Sequence, residues 1–326
     1  MNPLPALVAH ADWSASAAAR AVVLAERAGG DAGWRLKLGA PGLVPELLAS
    51  PHALVGFDAP LGLPQAYAEA RGIASFRGFL ATLDPEDPFW TPVRPPERPS
   101  LARPFYPARP GGARRAYLEA GLGLGPFATH LRRCDRLTNA QCLFWTLGPK
   151  QCGRAALAIW RELLLGPREE LAIWPFDGPL ERLLAEPRPI VAETYPGLAY
   201  RLLGLPRFAK SRAADRARLA AFLSQRAEAL DARLDPSLEA ELRAGFPNYR
   251  DHGFDALVGC LLLLEIVRGL RPAGDPVPAE VLSVEGWMLG LAPVPSRTVA
   301  APPDAGDRPH RRGTARSGPR AARPPG

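Results

Sequence analysis

The sequence predicts an α/β protein with a mixed β-sheet at its centre, and three features of the chain indicate this fold class. Three apolar segments follow one another closely at residues 6–13, 21–26 and 33–38, and such short connections favour antiparallel strands. A helix at about residues 44–50 then precedes a further apolar strand at 53–57, and a helical crossover usually makes the next strand parallel. The last third of the chain has helical patterning. We therefore expect three antiparallel strands followed by parallel strands, with helices flanking the sheet.

The remaining elements are predicted in chain order from the same patterns. Helices are expected at residues 65–71, 75–82, 113–120 and 155–165, and strands at 171–175 and 189–194. Later helices are expected at residues 198–203, 211–234, 236–244 and 252–268, with 211–234 as one long amphipathic helix. Residues 84–112 are so rich in proline that regular structure is excluded there. This insertion is expected to be a lid, a binding loop or a disordered segment.

The order of the first elements is the order that opens the ribonuclease H fold. We predict a ribonuclease H-like domain over residues 1–292, which contains the proline-rich insertion and several helical insertions. The chain has a net charge of +7, but residues 293–326 carry seven arginines and only two aspartates. A segment of this composition is expected to be a disordered tail. The domain itself therefore has a net charge of only about +2. A dedicated nucleic-acid-binding domain is expected to be more strongly basic.

Cysteine spacing and hydropathy narrow the class of protein further. The four cysteines at positions 134, 142, 152 and 260 show none of the close pairs of a structural zinc site, which indicates reduced thiols. The first residues lack the basic and apolar regions of a signal peptide. The longest apolar stretch, from position 256, is too short to span a bilayer. We expect a soluble cytoplasmic protein without a membrane partner.

Four acidic residues stand at the ends of apolar elements and form the candidate site. Asp58 follows the apolar strand at 53–57, and proline and glycine stop strand pairing directly after it. Asp12 and Glu193 end two other apolar segments, whereas Asp255 lies near the start of an apolar helix. Because ligands bind at the carboxyl ends of parallel strands, these four side chains are expected to form one acidic cluster.

Several segments of the chain resemble a known family. They are Ala11-Asp12-Trp13-Ser14, Gly56-Phe57-Asp58-Ala59-Pro60-Leu61-Gly62-Leu63-Pro64, Phe144-Trp145-Thr146-Leu147-Gly148-Pro149-Lys150-Gln151, Trp174-Pro175-Phe176-Asp177-Gly178, Glu193-Thr194-Tyr195-Pro196-Gly197, Asp251-His252-Gly253-Phe254-Asp255-Ala256-Leu257 and Glu285-Gly286-Trp287-Met288-Leu289-Gly290. In this order they resemble the domain of unknown function 429 family, whose members are described as predicted nucleases of the ribonuclease H fold. The resemblance covers about residues 7–291 and leaves the arginine-rich tail outside.

The resemblance implies a hydrolase that cleaves nucleic acid with divalent metal ions. Phosphodiester hydrolysis with two Mg²⁺ or Mn²⁺ ions needs several carboxylates from different elements, because these cations prefer oxygen ligands and one acid must bridge both ions. In the implied fold the first strand supplies the bridging acid, the neighbouring parallel strand a second acid and a late helix the last. Asp12, Asp58 and Asp255 match these three places. Glu193 is expected to be a fourth ligand or to orient the attacking water.

Each candidate residue also has a structural explanation, and these alternatives stay open at this point. Asp12 and Asp58 could stabilise turns, while Asp255 and Glu193 could interact with helix N-termini. Asp251 shares the late helix with Asp255, and we interpret Asp251 as the N-cap.

Two further residues are candidates for contact with the substrate. His252 could bind a metal or position water, and it could equally be structural. Lys150 could hold a phosphate, although its surroundings lack the glycine and hydroxyl pattern of a P-loop.

Two other functions remain compatible with this sequence. Sugar kinases and actin-like ATPases share the predicted architecture, so an ATP-dependent phosphotransferase is one alternative. The expected glycine of their first phosphate loop is absent after Asp12. The other alternative is a non-catalytic nucleic-acid-binding module in which the carboxylates are structural.

Overall fold

Seven β-strands form one mixed sheet in the computed structural model, which describes residues 4–27, 33–148, 151–166, 168–276 and 278–293. The strands are β1 Leu7–Asp12, β2 Ala21–Arg27, β3 Trp34–Gly39, β4 Ala53–Phe57, β5 Ala172–Trp174, β6 Ile190–Glu193 and β7 Ala232–Leu234. Their order across the sheet is β5-β6-β4-β1-β2-β3-β7. Strands β1, β2 and β3 pair antiparallel, as predicted, whereas the remaining neighbours pair parallel. The predicted α/β class with a mixed sheet is therefore confirmed.

Twelve α-helices accompany the sheet within the described residues. They are α1 Val44–Leu47, α2 Gln65–Arg71, α3 Phe76–Thr82, α4 Arg114–Leu122, α5 Arg133–Thr138, α6 Cys152–Ile159, α7 Leu180–Leu184, α8 Pro196–Leu202, α9 Ala213–Ala217, α10 Ala220–Ala229, α11 Pro236–Arg243 and α12 Arg250–Val267. A π-helical turn, Trp160–Leu164, extends α6. Most of the predicted helices are present, but α5 and α7 were not predicted because each is only one or two turns long.

The prediction of one long helix at residues 211–234 is wrong. The chain forms α9 and α10 there and then turns at Asp231, which has a left-handed φ of 47°. The next three residues pair with β3 as strand β7, and the Trp34 amide donates to the Asp231 carbonyl at 2.7 Å. Tertiary pairing with the edge of the sheet therefore overrides an alanine- and arginine-rich pattern that is typical of a helix.

Two apolar cores cover the two faces of the sheet. Side chains alternate along each strand, so that Val8 and Leu54 face one core whereas Ala9 and Val55 face the other. The first core contains α8, α10, α11 and α12, and the second contains α2, α3 and α6. Helix α12 is buried along nearly its whole length, so both its polar and its apolar side chains are packed against other parts of the protein.

The proline-rich insertion packs onto the second core. Apart from a short 3-10 helix, Pro88–Trp90, residues 84–112 form no helix or strand, as predicted. The insertion buries Phe89, Phe105 and Tyr106 almost completely. Phe89 stacks on Trp160 with 6.1 Å between ring centroids, so aromatic side chains anchor this segment without regular hydrogen bonding.

The described residues up to Pro293 form one compact unit. The predicted disordered tail begins at this point and lies outside the described residues, so it stays a prediction. No helix of the described part has the length and apolar character needed to cross a membrane.

Candidate functional site

Three of the predicted acidic residues meet at one edge of the sheet. One carboxylate oxygen each from Asp12, Asp58 and Asp255 lies within 4.8 Å of the other two. Asp12 and Asp255 are 7% and 1% exposed, whereas Asp58 is half-buried. We call these three residues the aspartate cluster. The structure thus joins residues that are separated by up to 243 positions in the chain.

The sheet places two of the three aspartates. Because β1 and β4 are parallel neighbours, their carboxyl ends lie at the same edge, where Asp12 ends β1 and Asp58 follows β4. The Asp58 amide donates to the Ala11 carbonyl at 3.1 Å, which continues the strand pairing by one residue. This hydrogen bond fixes the backbone of Asp58 beside Asp12.

The third aspartate is placed by the close approach of α12 to β1. Gly259 of α12 lies directly on the His10 ring, because a Cβ built at Gly259 would lie 2.2 Å from His10 Cδ2. Asp255 lies one helical turn before Gly259 and therefore projects toward the end of β1. A side chain at position 259 would push Asp255 away from the aspartate cluster.

His10 contributes to the same region by linking β1 to the segment after β6. Its Nε2 lies 2.6 Å from the Thr194 hydroxyl, and the side chain is fully buried. Gly56 of β4 lies between the two residues, and a Cβ there would lie 2.8 Å from Thr194 Cγ2. Burial lowers the pKa of His10 to about 3, so this histidine is neutral. We conclude that His10 and Gly56 are structural residues beneath the site.

Burial raises the pKa values of the three aspartates, and repulsion from neighbouring carboxylates raises them further. Burial is the largest cause for each of them. The charges of Asp12 and Asp255 raise the pKa of Asp58 further, to well above its ordinary value of 3.8. The pKa of Asp255 rises to about 6 although Lys210 opposes the shift. The aspartate cluster therefore lacks sufficient positive charge from the protein for all three carboxylates to ionise readily.

Three polar side chains contact the aspartate cluster. Lys210 Nζ lies 2.5 Å from Asp255 Oδ2, and the Tyr200 hydroxyl donates to Asp255 Oδ1. His252 Nδ1 lies 3.1 Å from Asp12 Oδ2, and this hydrogen bond is the main reason why the pKa of His252 is raised. His252, predicted to bind metal or position water, thus contacts one of the predicted ligands.

Asp251 does not have the predicted N-cap position. Helix α12 begins at Arg250 with Tyr249 as its N-cap residue, and Asp251 lies within the first turn. Its carboxylate is 3.8 Å from Lys210 Nζ. Asp251 therefore adds negative charge near Lys210 instead of capping the helix.

Glu193 belongs to a different ion-pair group. The guanidinium of Arg132 donates to both Glu193 oxygens at 2.6 and 2.7 Å and to both Asp135 oxygens at 2.8 and 3.0 Å. Arg132 is fully buried, and the Leu61 amide also donates to Glu193 at 2.7 Å. We call Arg132, Asp135 and Glu193 the Arg132 cluster.

Of the four acids that were expected to form one cluster, Asp12, Asp58 and Asp255 do so and Glu193 does not. The oxygens of Glu193 are not within the 4.8 Å group that the aspartates form, although β6 ends at the same edge of the sheet. Burial raises the pKa of Glu193, whereas Arg132 lowers it. Its hydrogen bonds to Arg132 and Leu61 give it a structural explanation that is independent of any metal.

Three residues that contact the candidate acids were not predicted from the sequence, namely Tyr200, Lys210 and Arg132. Lys210 is one of only three lysines in an arginine-rich chain, which is the one sequence signal that distinguishes it. Its carbonyl accepts a hydrogen bond from the buried Arg216 at 2.5 Å, so its backbone is fixed. Arg132 gave no comparable signal, because it is one of many arginines in the chain. The predicted phosphate contact Lys150 lies outside the described residues.

The donor set of the aspartate cluster fits hard divalent cations. It offers only carboxylate oxygens, supplied from two strand ends and one helix, and such ligands suit Mg²⁺ or Mn²⁺. Cations would also relieve the repulsion that raises the pKa of Asp58. The cluster therefore has both the ligand chemistry and the charge deficit of a metal site.

Comparisons with models of protein families, with curated proteins and with solved structures found no match to this chain.

Proposed function

We propose that this protein is a divalent-metal-dependent nuclease with a ribonuclease H-like fold. The observation that carries the proposal is the aspartate cluster, in which the carboxylates of Asp12, Asp58 and Asp255 converge at the carboxyl ends of two parallel strands. Strand order supports the fold assignment, since three antiparallel strands precede a parallel β4 that pairs with β1. The reaction is the hydrolysis of a phosphodiester bond in nucleic acid.

In this proposal the three aspartates hold two Mg²⁺ or Mn²⁺ ions. When bound, these ions supply Lewis-acid stabilisation of the negative charge that develops on the reacting phosphate. The protein orients the ligands, because strand pairing fixes the backbone of Asp58, and Tyr200 and Lys210 hold the side chain of Asp255. His252 orients Asp12 through their hydrogen bond. Lys210 balances part of the charge on Asp255.

Three arginines lie close in sequence to residues that contact the aspartate cluster, and they would suit a phosphate substrate. Arg207 and Arg212 flank Lys210, and Arg250 precedes Asp251 at the start of α12. All three arginines are exposed, and none forms an ion pair with an acidic residue in the described part of the chain. Phosphate oxygens would be suitable partners for these guanidinium groups.

The proposal is tested by the cleavage of labelled single- and double-stranded DNA and RNA in the presence of Mg²⁺ or Mn²⁺. The wild type is compared with Asp58→Asn and with Asp231→Asn as the control, because Asp231 is exposed and Arg268 is its only ion-pair partner among the described residues. We expect cleavage by the wild type and the control that stops with a chelator, and a loss of about 100-fold or more in Asp58→Asn. Equal cleavage by Asp58→Asn, or no metal-dependent cleavage of any substrate by the wild type, would contradict the proposal.

A further inference from the structure

Two arginines and two aromatic rings form a continuous surface outside the aspartate cluster. Arg114 and Arg115 are the first residues of α4, and Phe127 and Trp145 come from the segments that follow. The rings of Phe127 and Trp145 stack with 5.4 Å between centroids and 22° between planes. We call these four residues the arginine–aromatic surface.

Each guanidinium of this surface lies over a different ring. Arg114 Cζ is 5.4 Å from the centroid of Trp145, and Arg115 Cζ is 4.6 Å from the centroid of Phe127. Arg114 also passes close to Gly148, where a Cβ would lie 2.3 Å from Arg114 Nη2. Contact with the rings restricts the guanidinium groups, so that less conformational freedom is lost when they bind a ligand.

The charge of this surface is not neutralised within the described residues. Neither Arg114 nor Arg115 forms an ion pair or a hydrogen bond with a described acidic residue. Glu119, on the same helix, instead accepts a hydrogen bond from the Phe127 amide at 2.7 Å. Arg115 is exposed, whereas Arg114, Phe127 and Trp145 are half-buried and the indole nitrogen of Trp145 is buried.

The arginine–aromatic surface is connected to the aspartate cluster through α6. The Trp145 carbonyl accepts from the Gly153 amide at 3.0 Å in the first turn of this helix. At the other end of the helical segment, the Trp160 indole donates to the Pro60 carbonyl at 2.9 Å, two residues after Asp58. One rigid element therefore contacts both the surface and the loop that carries Asp58.

We propose that the arginine–aromatic surface binds single-stranded nucleic acid and leads the strand toward the aspartate cluster. This inference rests on the proposed nuclease function and names the class of its substrate. The two rings are covered by each other, by His130 and by the arginines, so they hold the guanidinium planes in place. Unpaired bases would stack on the outer faces of these guanidinium planes, and the remaining guanidinium donors would bind phosphate oxygens. A duplex keeps its bases stacked inside the helix, so it would bind this surface only through attraction between its phosphates and the arginines.

The experiment measures binding without catalysis. Full-length protein that carries Asp58→Asn is titrated, in the presence of a chelator, against a labelled oligothymidylate strand and against a duplex of equal length. The double change Arg114→Gln with Arg115→Gln is compared with Arg233→Gln and Arg243→Gln, two exposed arginines on β7 and α11. Both pairs remove the same charge and keep the arginine-rich tail, so the comparison isolates the position of the charge.

We expect the Arg114 and Arg115 changes to weaken single-strand binding by about tenfold or more, while the control pair has little effect. The slope of log affinity against log salt should fall by about 1.4, since each contact to a single strand contributes about 0.7. Trp145→Leu should also weaken single-strand binding, whereas Trp145→Phe should retain it because the ring remains. Thermal unfolding of each variant verifies that it is folded.

Two results would overturn the inference. One is single-strand affinity in the Arg114 and Arg115 variant that equals that of the control pair. The other is an equal loss of duplex affinity, which would indicate a general electrostatic patch without base stacking. Neither result depends on catalysis. If the protein binds single strands selectively but cleaves no substrate, the proposed nuclease function is refuted, whereas the assignment of this surface to single-strand binding is supported.

Discussion

Asp58 is the residue with the least favourable electrostatic surroundings in the aspartate cluster. Its pKa is raised well above 3.8 by burial and by its two neighbouring aspartates, so the folded protein binds this proton more tightly than the unfolded chain does. The stability linked to this proton is present at low pH and is lost as pH rises from about 4 through the raised pKa. Asp58 therefore makes the metal-free protein less stable at neutral pH than at low pH.

We predict that Asp58→Asn stabilises the metal-free protein. Asparagine has a similar shape but no charge, so the free energy of unfolding at pH 7 should rise by about 1 to 3 kcal/mol. The gain should shrink toward zero near pH 4, where Asp58 of the wild type is protonated. Urea unfolding in a chelator at several pH values measures both effects. A gain that is the same at pH 4 and pH 7 would argue against a raised pKa.

For Glu193 we predict the opposite effect, namely that removal of its charge destabilises the protein. Glu193→Gln leaves the buried Arg132 with one charged partner instead of two, and we expect a loss of about 3 kcal/mol in the free energy of unfolding. Glu228→Gln, at an exposed position of α10, should change the stability by less than about 0.5 kcal/mol.

Metal titration separates the two roles of Glu193. If Glu193 is structural, Mg²⁺ should raise the melting temperature of Glu193→Gln as much as that of the wild type. Unchanged stability together with a lost response to Mg²⁺ would restore Glu193 as a metal ligand.

The residues of the candidate site were predictable from the sequence to different degrees. Asp12 and Asp58 were identified because each follows an apolar strand, and parallel pairing then brings them together. The contacts of Lys210 and Arg132 could not be predicted, because they depend on which loops meet in space. Glu193 has the same sequence signal as Asp58, but the position of Arg132 directs it into a different group.

At the scale of elements, the position of α12 on β1 decides whether Asp255 reaches the strand ends. Contact between the Gly259 backbone and the His10 ring sets this distance. The apolar pattern of α12 predicted a buried helix, but it did not reveal that one glycine controls its approach. The break between α9, α10 and β7 escaped prediction for a related reason, since strand pairing with β3 is a tertiary interaction.

Gly259→Ala tests this account of the helix position. The added methyl group would overlap the His10 ring, and we expect a loss of about 1 to 3 kcal/mol in the free energy of unfolding. Gly42→Ala is the control, because a Cβ at Gly42 meets no atom within 4 Å. Chemical denaturation of both variants compares them. Equal stabilities would mean that α12 lies farther from β1 than the structure indicates.

At the scale of the whole molecule, a mixed sheet brings together carboxylates from distant parts of the chain. Parallel pairing brings the ends of β1, β4 and β6 to one edge, and the two cores fix helices on both faces. The α/β class and the first six strands followed from the apolar pattern, and short connections indicated the antiparallel pairing of the first three. The burial of the proline-rich insertion did not, because its aromatic anchors lack any periodicity.

The central claim is that the aspartate cluster binds a pair of divalent cations. Titration of the full-length protein with Mn²⁺, followed by electron paramagnetic resonance of the free ion, measures the number of ions bound per chain. We predict about two ions for the wild type, and weaker binding of at least one of them in Asp58→Asn. Equal stoichiometry and affinity in the two proteins, or the absence of Mn²⁺ binding by the wild type, would contradict the account.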